Sequence, residues 1–146
     1  MIYLERKQSD SKIREGLMGM VDLEDYSYEK GSQTLIRATE KTVIERIPPR
    51  LKVRENAPLE LPHIMILIDD EKKNIIESLK NKVTAKDIVY DFDLMENGGH
   101  IKGYNLSDEV IKDIEKGLEG LMDKDYFEKK YNVKDKGILL FAMGDG

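Results

Sequence analysis

A chain of 146 residues is expected to form one domain, with room for two small lobes. Its 24 basic and 29 acidic side chains leave a net charge of −5, which argues against general nucleic-acid binding, and no apolar run approaches the roughly 20 residues that span a bilayer. The lack of cysteine excludes disulfides, thiolate nucleophiles and cysteine-based zinc sites, and the charged start MIYLERKQ lacks a signal-peptide core, so a cytoplasmic location is expected by default.

Residues 2–8 and 16–23 read as two strands around the turn Ser9-Asp10-Ser11-Lys12. A polar loop follows, and Leu35-Ile36 is a candidate short strand. Residues 42–47 have room for one or two helical turns. Pro48-Pro49 is expected to stop them, because a proline has no N–H and disfavours helix in the residue before it. A helix can restart with Pro49 in its first turn and run to Asn56. His63 opens an apolar run, HIMILI, that lacks alternation and fits a strand covered on both faces. One of Asp69 and Asp70 is expected to cap a helix over 71–80, with Ile75, Ile76 and Leu79 on its inner face.

Residues 88–94 and 101–104 flank Asn97-Gly98-Gly99, a hairpin signal because such turns need positive φ. Ser107 caps the clearest helix of the chain, in which Val110, Ile111, Ile114 and Leu118 share a face and Asp108 and Glu109 suit the N-terminal dipole. A shorter helix over 123–131 and a covered strand over 138–142 complete the chain. The expected class is α+β: a mixed, largely antiparallel sheet with hairpins and three to four packed helices. Ile2-Tyr3-Leu4 reads as a strand start with nothing before it, and GILLFAMGDG as a strand leading onward through a glycine turn. The expectation is therefore a single domain over 1–146, excised from a longer protein.

The charge is unevenly spread. Residues 37–56 carry six basic and three acidic side chains, a net of +3, while the rest of the chain carries −8. Such a segment can form the wall of an anion site. Within it, Glu40-Lys41-Thr42 offers a carboxylate, an ammonium and a hydroxyl. These suit a phosphorylated ligand, with Glu40 as general base or metal ligand and Thr42 as donor to phosphate. The competing reading is a solvated charged turn. Arg46, Arg50 and Arg54 are spaced by four, but the proline pair is expected to separate Arg46 from the other two. A stiff Pro-Pro turn would fix where Arg50 points; otherwise the arginines form a surface face salted by Glu45 and Glu55.

After the last strand, Gly144-Asp145-Gly146 brings bare backbone where ligands bind in open α/β sheets, with Asp145 able to bind Mg²⁺ or orient a nucleophile. A tight turn explains the same residues. His63 reads as a structural histidine and His100 as an exposed one. Neither has a partner at metal-ligand spacing, so no metal is assigned.

In order, these motifs resemble a prokaryotic family, domain of unknown function 1015. The carrying residues are GLMGMVDLEDY (16–26), ATEKT (38–42), Arg50 ten residues past Glu40, HIMILIDD, Tyr90-Asp91-Phe92, SDEVIKDIEKGL and the terminal Gly144-Asp145-Gly146. The resemblance spans nearly the whole chain, and implies that the chain covers a middle part of the family's length. It departs at Thr39, where many members carry histidine. The terminal motif is also similar to that of the ParB/sulfiredoxin-like group, whose members bind nucleotides or phosphates, some as kinases of small hydroxylated metabolites. That likeness implies Glu40 and Asp145 as acid/base or metal-binding groups and Arg50 with the Gly144 and Gly146 backbone on phosphate, with Mg²⁺ and a nucleotide as possible cofactors. Two readings stay open: a phosphate- or nucleotide-binding domain of a phosphotransferase, and a non-catalytic interaction module. Whether the chain is an enzyme, and its oligomeric state, are left open.

Overall fold

The computed structural model describes residues 1–22, 24, 26–27, 29, 34, 36–38, 43–57, 63–121, 124–132 and 140–143. The protein is α+β, built as two compact units, each made from two separated stretches of chain. The first holds residues 1–21 and 70–120; the second holds 22–69 and 121–146. Among the described residues, no helix is long and apolar enough to cross a membrane.

The first unit is organised on an antiparallel sheet with the order β2-β1-β7-β6: β1 Ile2–Lys7, β2 Ile13–Met18, β6 Ile88–Asp93 and β7 His100–Asn105. The first hairpin closes tightly. Gln8 N–H donates to Lys12 O at 2.8 Å, and Ser11 takes the left-handed φ of 67°. That turn sets Lys7 opposite Ile13, so β2 begins three residues earlier than the expected 16–23 and ends at Met18. Met20, inside the expected strand 16–23, lies beyond β2 and is 98% exposed.

The registers stack one face of this sheet in rungs. Leu17, Tyr3 and Tyr104 form the first rung, with the two tyrosine rings 5.8 Å apart. Glu15, Glu5, Lys102 and Asp91 form the second, and Ile13, Lys7, His100 and Asp93 the third. Tyr3 is fully buried and donates to Glu15 at 2.8 Å and to Glu5 at 3.2 Å. Burial, then these carboxylates, push its phenol pKa far up. On the opposite face the Tyr90 ring lies against Gly103, where a side chain would meet ring atoms at 2.3 Å.

The expected helix over 71–80 is corrected. Lys73 takes a φ of 53°, outside helical space, and donates from its N–H to Asp70 O. Asp70 Oδ2 accepts from Ile75 N–H at 2.8 Å, so it caps a turn, and the only helical stretch here is the 3₁₀ segment Glu77–Asn81. The apolar side chains still go inside: Ile75 and Leu79 are buried. Helix α2, Asp108–Leu121, forms as its pattern demands. Ser107 Oγ accepts from Val110 N–H, and Ile114 is buried. Gly117 passes close to Ile75, where a Cβ would sit 3.2 Å from Cγ1.

The second unit carries a mixed sheet with the order β3-β4-β8-β5: β3 Tyr26–Ser27, β4 Ile36–Ala38, β5 Met65–Ile68 and β8 Leu140–Met143. The pairs β3–β4 and β4–β8 are parallel, and β5–β8 is antiparallel. The largely antiparallel expectation therefore holds for the first unit's sheet, whereas the second unit's sheet has a parallel centre. The expectation that both faces of HIMILI are covered is also corrected. The burial of β5 alternates, with Met65 59% and Leu67 49% exposed, so one face of this strand is open to solvent.

Nor does the proline pair stop the helix. A 3₁₀ turn, Ile44–Arg46, runs directly into helix α1, Ile47–Arg54. Pro48 and Pro49 fall in its first turn, where the missing N–H has no helical partner to lose and φ is already correct. Helix α3, Lys124–Tyr131, follows the expected 123–131. It is pinned to the end of β5: Lys130 Nζ lies 2.9 Å from Asp69 Oδ1, and Tyr131 O–H donates to Asp69 Oδ2.

Candidate functional site

The strongest site-forming feature is the pairing at the centre of the second unit's sheet. Strands β4 and β8 run side by side and parallel, with Ala38 opposite Ala142. Parallel neighbours end together, so the chain leaves both strands at one end of the sheet. In sequence, Thr39-Glu40-Lys41-Thr42 follows β4 and Gly144-Asp145-Gly146 follows β8. The carboxyl end of parallel strands in an open sheet is where ligands are commonly bound, because loops and backbone N–H groups collect there. Strand β5 runs the other way, with Met65 opposite Met143, so this end of the sheet is where β5 begins.

Of the residues singled out in the sequence, Glu40, Thr42, Gly144, Asp145 and Gly146 lie outside the described residues. Arg50 is described. It sits in α1 and is exposed. Arg46 occupies the cap position before α1, and Arg54 ends it, so the three arginines share one helical run at the spacing of four. The same run exposes Ile44, Leu51 and Val53.

A second polar cluster lies in the first unit and escaped the sequence reading. His100 Nδ1 is 2.7 Å from Asp93 Oδ1, and its Nε2 is 2.5 Å from Asp91 Oδ1. Lys102 Nζ reaches Asp91 Oδ2 at 2.8 Å. The bonds to Asp93 and then to Asp91 raise the imidazole pKa, and Lys102 first, with His100, holds the Asp91 carboxyl below its ordinary value. The signal was in the sequence. Asp91 and Asp93 alternate on β6, His100 and Lys102 alternate on β7, and the Asn-Gly-Gly turn sets these pairs opposite. Each cation meets a carboxylate, so the cluster knits the hairpin together. Among the described residues, no group of three or more His, Asp or Glu side chains could hold a metal ion.

The chain is therefore an α+β protein whose second unit has a parallel strand pair at its centre. The chain belongs to the family described as "Protein of unknown function (DUF1015)", whose sequence model matches residues 1–146. No curated protein and no solved structure matches it.

Proposed function

We propose that this chain binds the phosphate groups of a nucleotide or phosphorylated small molecule, as a domain of a small-metabolite phosphotransferase. The observation that supports this reading is the parallel register of Ala38 with Ala142, so that β4 and β8 finish at the same end of one sheet; in sequence, Glu40 follows Ala38 by two residues and Asp145 follows Ala142 by three. On this reading Thr42, Arg50 and the backbone of Gly144 and Gly146 hold phosphate oxygens. Glu40 and Asp145 act as acid/base or Mg²⁺-binding groups.

Calorimetric titration with ATP, with and without Mg²⁺, tests it. Binding that weakens about tenfold in each of Glu40→Gln, Arg50→Ala and Asp145→Asn supports the reading, since tenfold is about 1.4 kcal/mol and one charged contact supplies that much. Binding that none of the three variants alters, or no binding at all, overturns it.

A second reading, a non-catalytic interaction module, draws on the exposed Ile44, Leu51 and Val53 along α1 and the turn before it. It requires that Ile44→Asp and Leu51→Asp abolish association measured by light scattering while leaving the nucleotide titration unchanged.

A further inference from the structure

We propose that one face of the first unit's sheet, the face opposite Tyr3, binds single-stranded nucleic acid, with Arg6 and Arg14 on its phosphates and the Phe92 and Tyr90 rings against its bases. This surface uses none of the residues of the phosphate reading above and does not depend on it.

The registers define the face. One rung is Gly16, Leu4, Gly103 and Tyr90; the next is Arg14, Arg6, Ile101 and Phe92. Every acidic residue of the four strands points the other way. Glu5 and Glu15 accept from Tyr3, Asp91 pairs with His100 and Lys102, and Asp93 pairs with His100. A chain of net charge −5 thus keeps its carboxylates off these rungs.

Arg6 and Arg14 stand directly opposite each other, an arrangement that costs stability until an anion lies across it. Both are exposed, and the hydrogen bond that Arg6 donates, to Gly98 O at 3.4 Å, goes to a neutral acceptor. Two neighbouring guanidinium forks match phosphate oxygens. Beside them Phe92 is 51% exposed, and its ring centroid lies 6.0 Å from that of Tyr90, whose ring rests against Gly103. Aromatic rings at alternate positions of a strand in a four-stranded antiparallel sheet are a platform on which bases stack. Small-molecule sites are concave, whereas a sheet face suits an extended strand laid across it. The acidic surplus elsewhere does not oppose this, because exposed charges more than about 10 Å apart are largely screened at 0.1 M salt.

Fluorescence anisotropy on the intact chain tests it, with labelled oligothymidylate of about ten nucleotides and, in a parallel arm, oligouridylate. The expected result is saturable binding of both, with log Kd rising against log salt at a slope of about 1.4, the value for two phosphates on a single strand. Arg14→Gln should halve that slope. Phe92→Ala and Phe92→Leu should raise Kd about fivefold or more, while Phe92→Tyr, which keeps a ring, should bind as the wild type does. Lys7→Gln removes a positive charge from the opposite face and should leave Kd unchanged. Thermal melts establish that each variant compared is folded. Failure of the folded wild type to bind either oligomer at low salt overturns the proposal. Binding that Arg14→Gln and Phe92→Ala leave unaltered also overturns it, since the strand then sits elsewhere. Displacement by a polyglutamate peptide as effective as by unlabelled oligothymidylate overturns it too, and assigns the face to an acidic protein segment.

Discussion

His100 stands between Asp93 and Asp91, 2.7 Å from one and 2.5 Å from the other, and only a doubly protonated ring can donate to both. Its pKa is raised in the folded chain, so the stability it contributes is fully present below the ordinary histidine value of about 6.5. That contribution is lost as the pH rises through the folded value. Asp91 runs the other way. Its pKa is lowered, first by Lys102, and its contribution is lost as the pH falls through the folded value. The melting temperature of the wild type should therefore fall from pH 6 to pH 9 more steeply than that of His100→Gln. Parallel slopes in a calorimetric pH series would contradict this.

Gly99 turns the hairpin that carries this clamp. Its φ is +100°, and a Cβ there would lie 2.0 Å from the carbonyl oxygen of Lys7, which is backbone and cannot swing aside. Gly99→Ala should cost about 1–3 kcal/mol through strain and displacement. Gly120, in the last turn of α2, has nothing within 4 Å of its would-be Cβ. Gly120→Ala should stabilise by up to about 1 kcal/mol, as the helix gains a better former. Urea titration of the pair checks both signs.

Leu79 is fully buried, although its segment is a 3₁₀ turn and not the helix its spacing suggested. Leu79→Ala should cost about 2–5 kcal/mol, lost burial and the cavity together. Met20→Ala, at a site 98% exposed, should stay within about 0.5 kcal/mol of the wild type. Denaturation midpoints that failed to separate these two would contradict the packing of the first unit.

The Asp69 carboxyl feels partial burial, which pushes its pKa up, but the hydrogen bonds from Tyr131 and Lys130 outweigh this and hold it below its ordinary value. Lys130→Met leaves Asp69 short of a donor and should cost about 1–3 kcal/mol at neutral pH. The lowered pKa means this advantage is present above the unfolded carboxylate value and lost as the pH falls through the folded one. The gap between wild type and variant, read from unfolding curves, should therefore narrow below about pH 4.

What the sequence revealed was local. Ser107 with an apolar face at helical spacing announced α2, and Asn97-Gly98-Gly99 announced the β6–β7 hairpin, because cap and turn chemistry act over a few residues. The pairing of β1 with β7 and the place of β8 between β4 and β5 were not legible, since nothing in either strand names a distant partner. The helix expected over 71–80 failed at Lys73, a residue with no propensity for positive φ, held there by a turn that Asp70 closes. The helix expected to restart with Pro49 in its first turn formed as α1, but the break expected before the proline pair did not, because Ile44–Arg46 already turn as a 3₁₀ segment that leads into it. Of the candidate site, Glu40 and Asp145 were picked out by residue type. What the sequence could not show is that Ala38 and Ala142 are neighbours.

That neighbourhood has a consequence for synthesis. The strand next to β4 is made about a hundred residues after it. The same holds for β1, which pairs with β7 across a similar separation. Each sheet must wait, with early strands unpaired on that side, for a partner that emerges late, so folding should be slow for the chain's size. A ribosome halted before Leu140 would leave β4 and β5 without the strand that lies between them, and the second unit would have no continuous sheet.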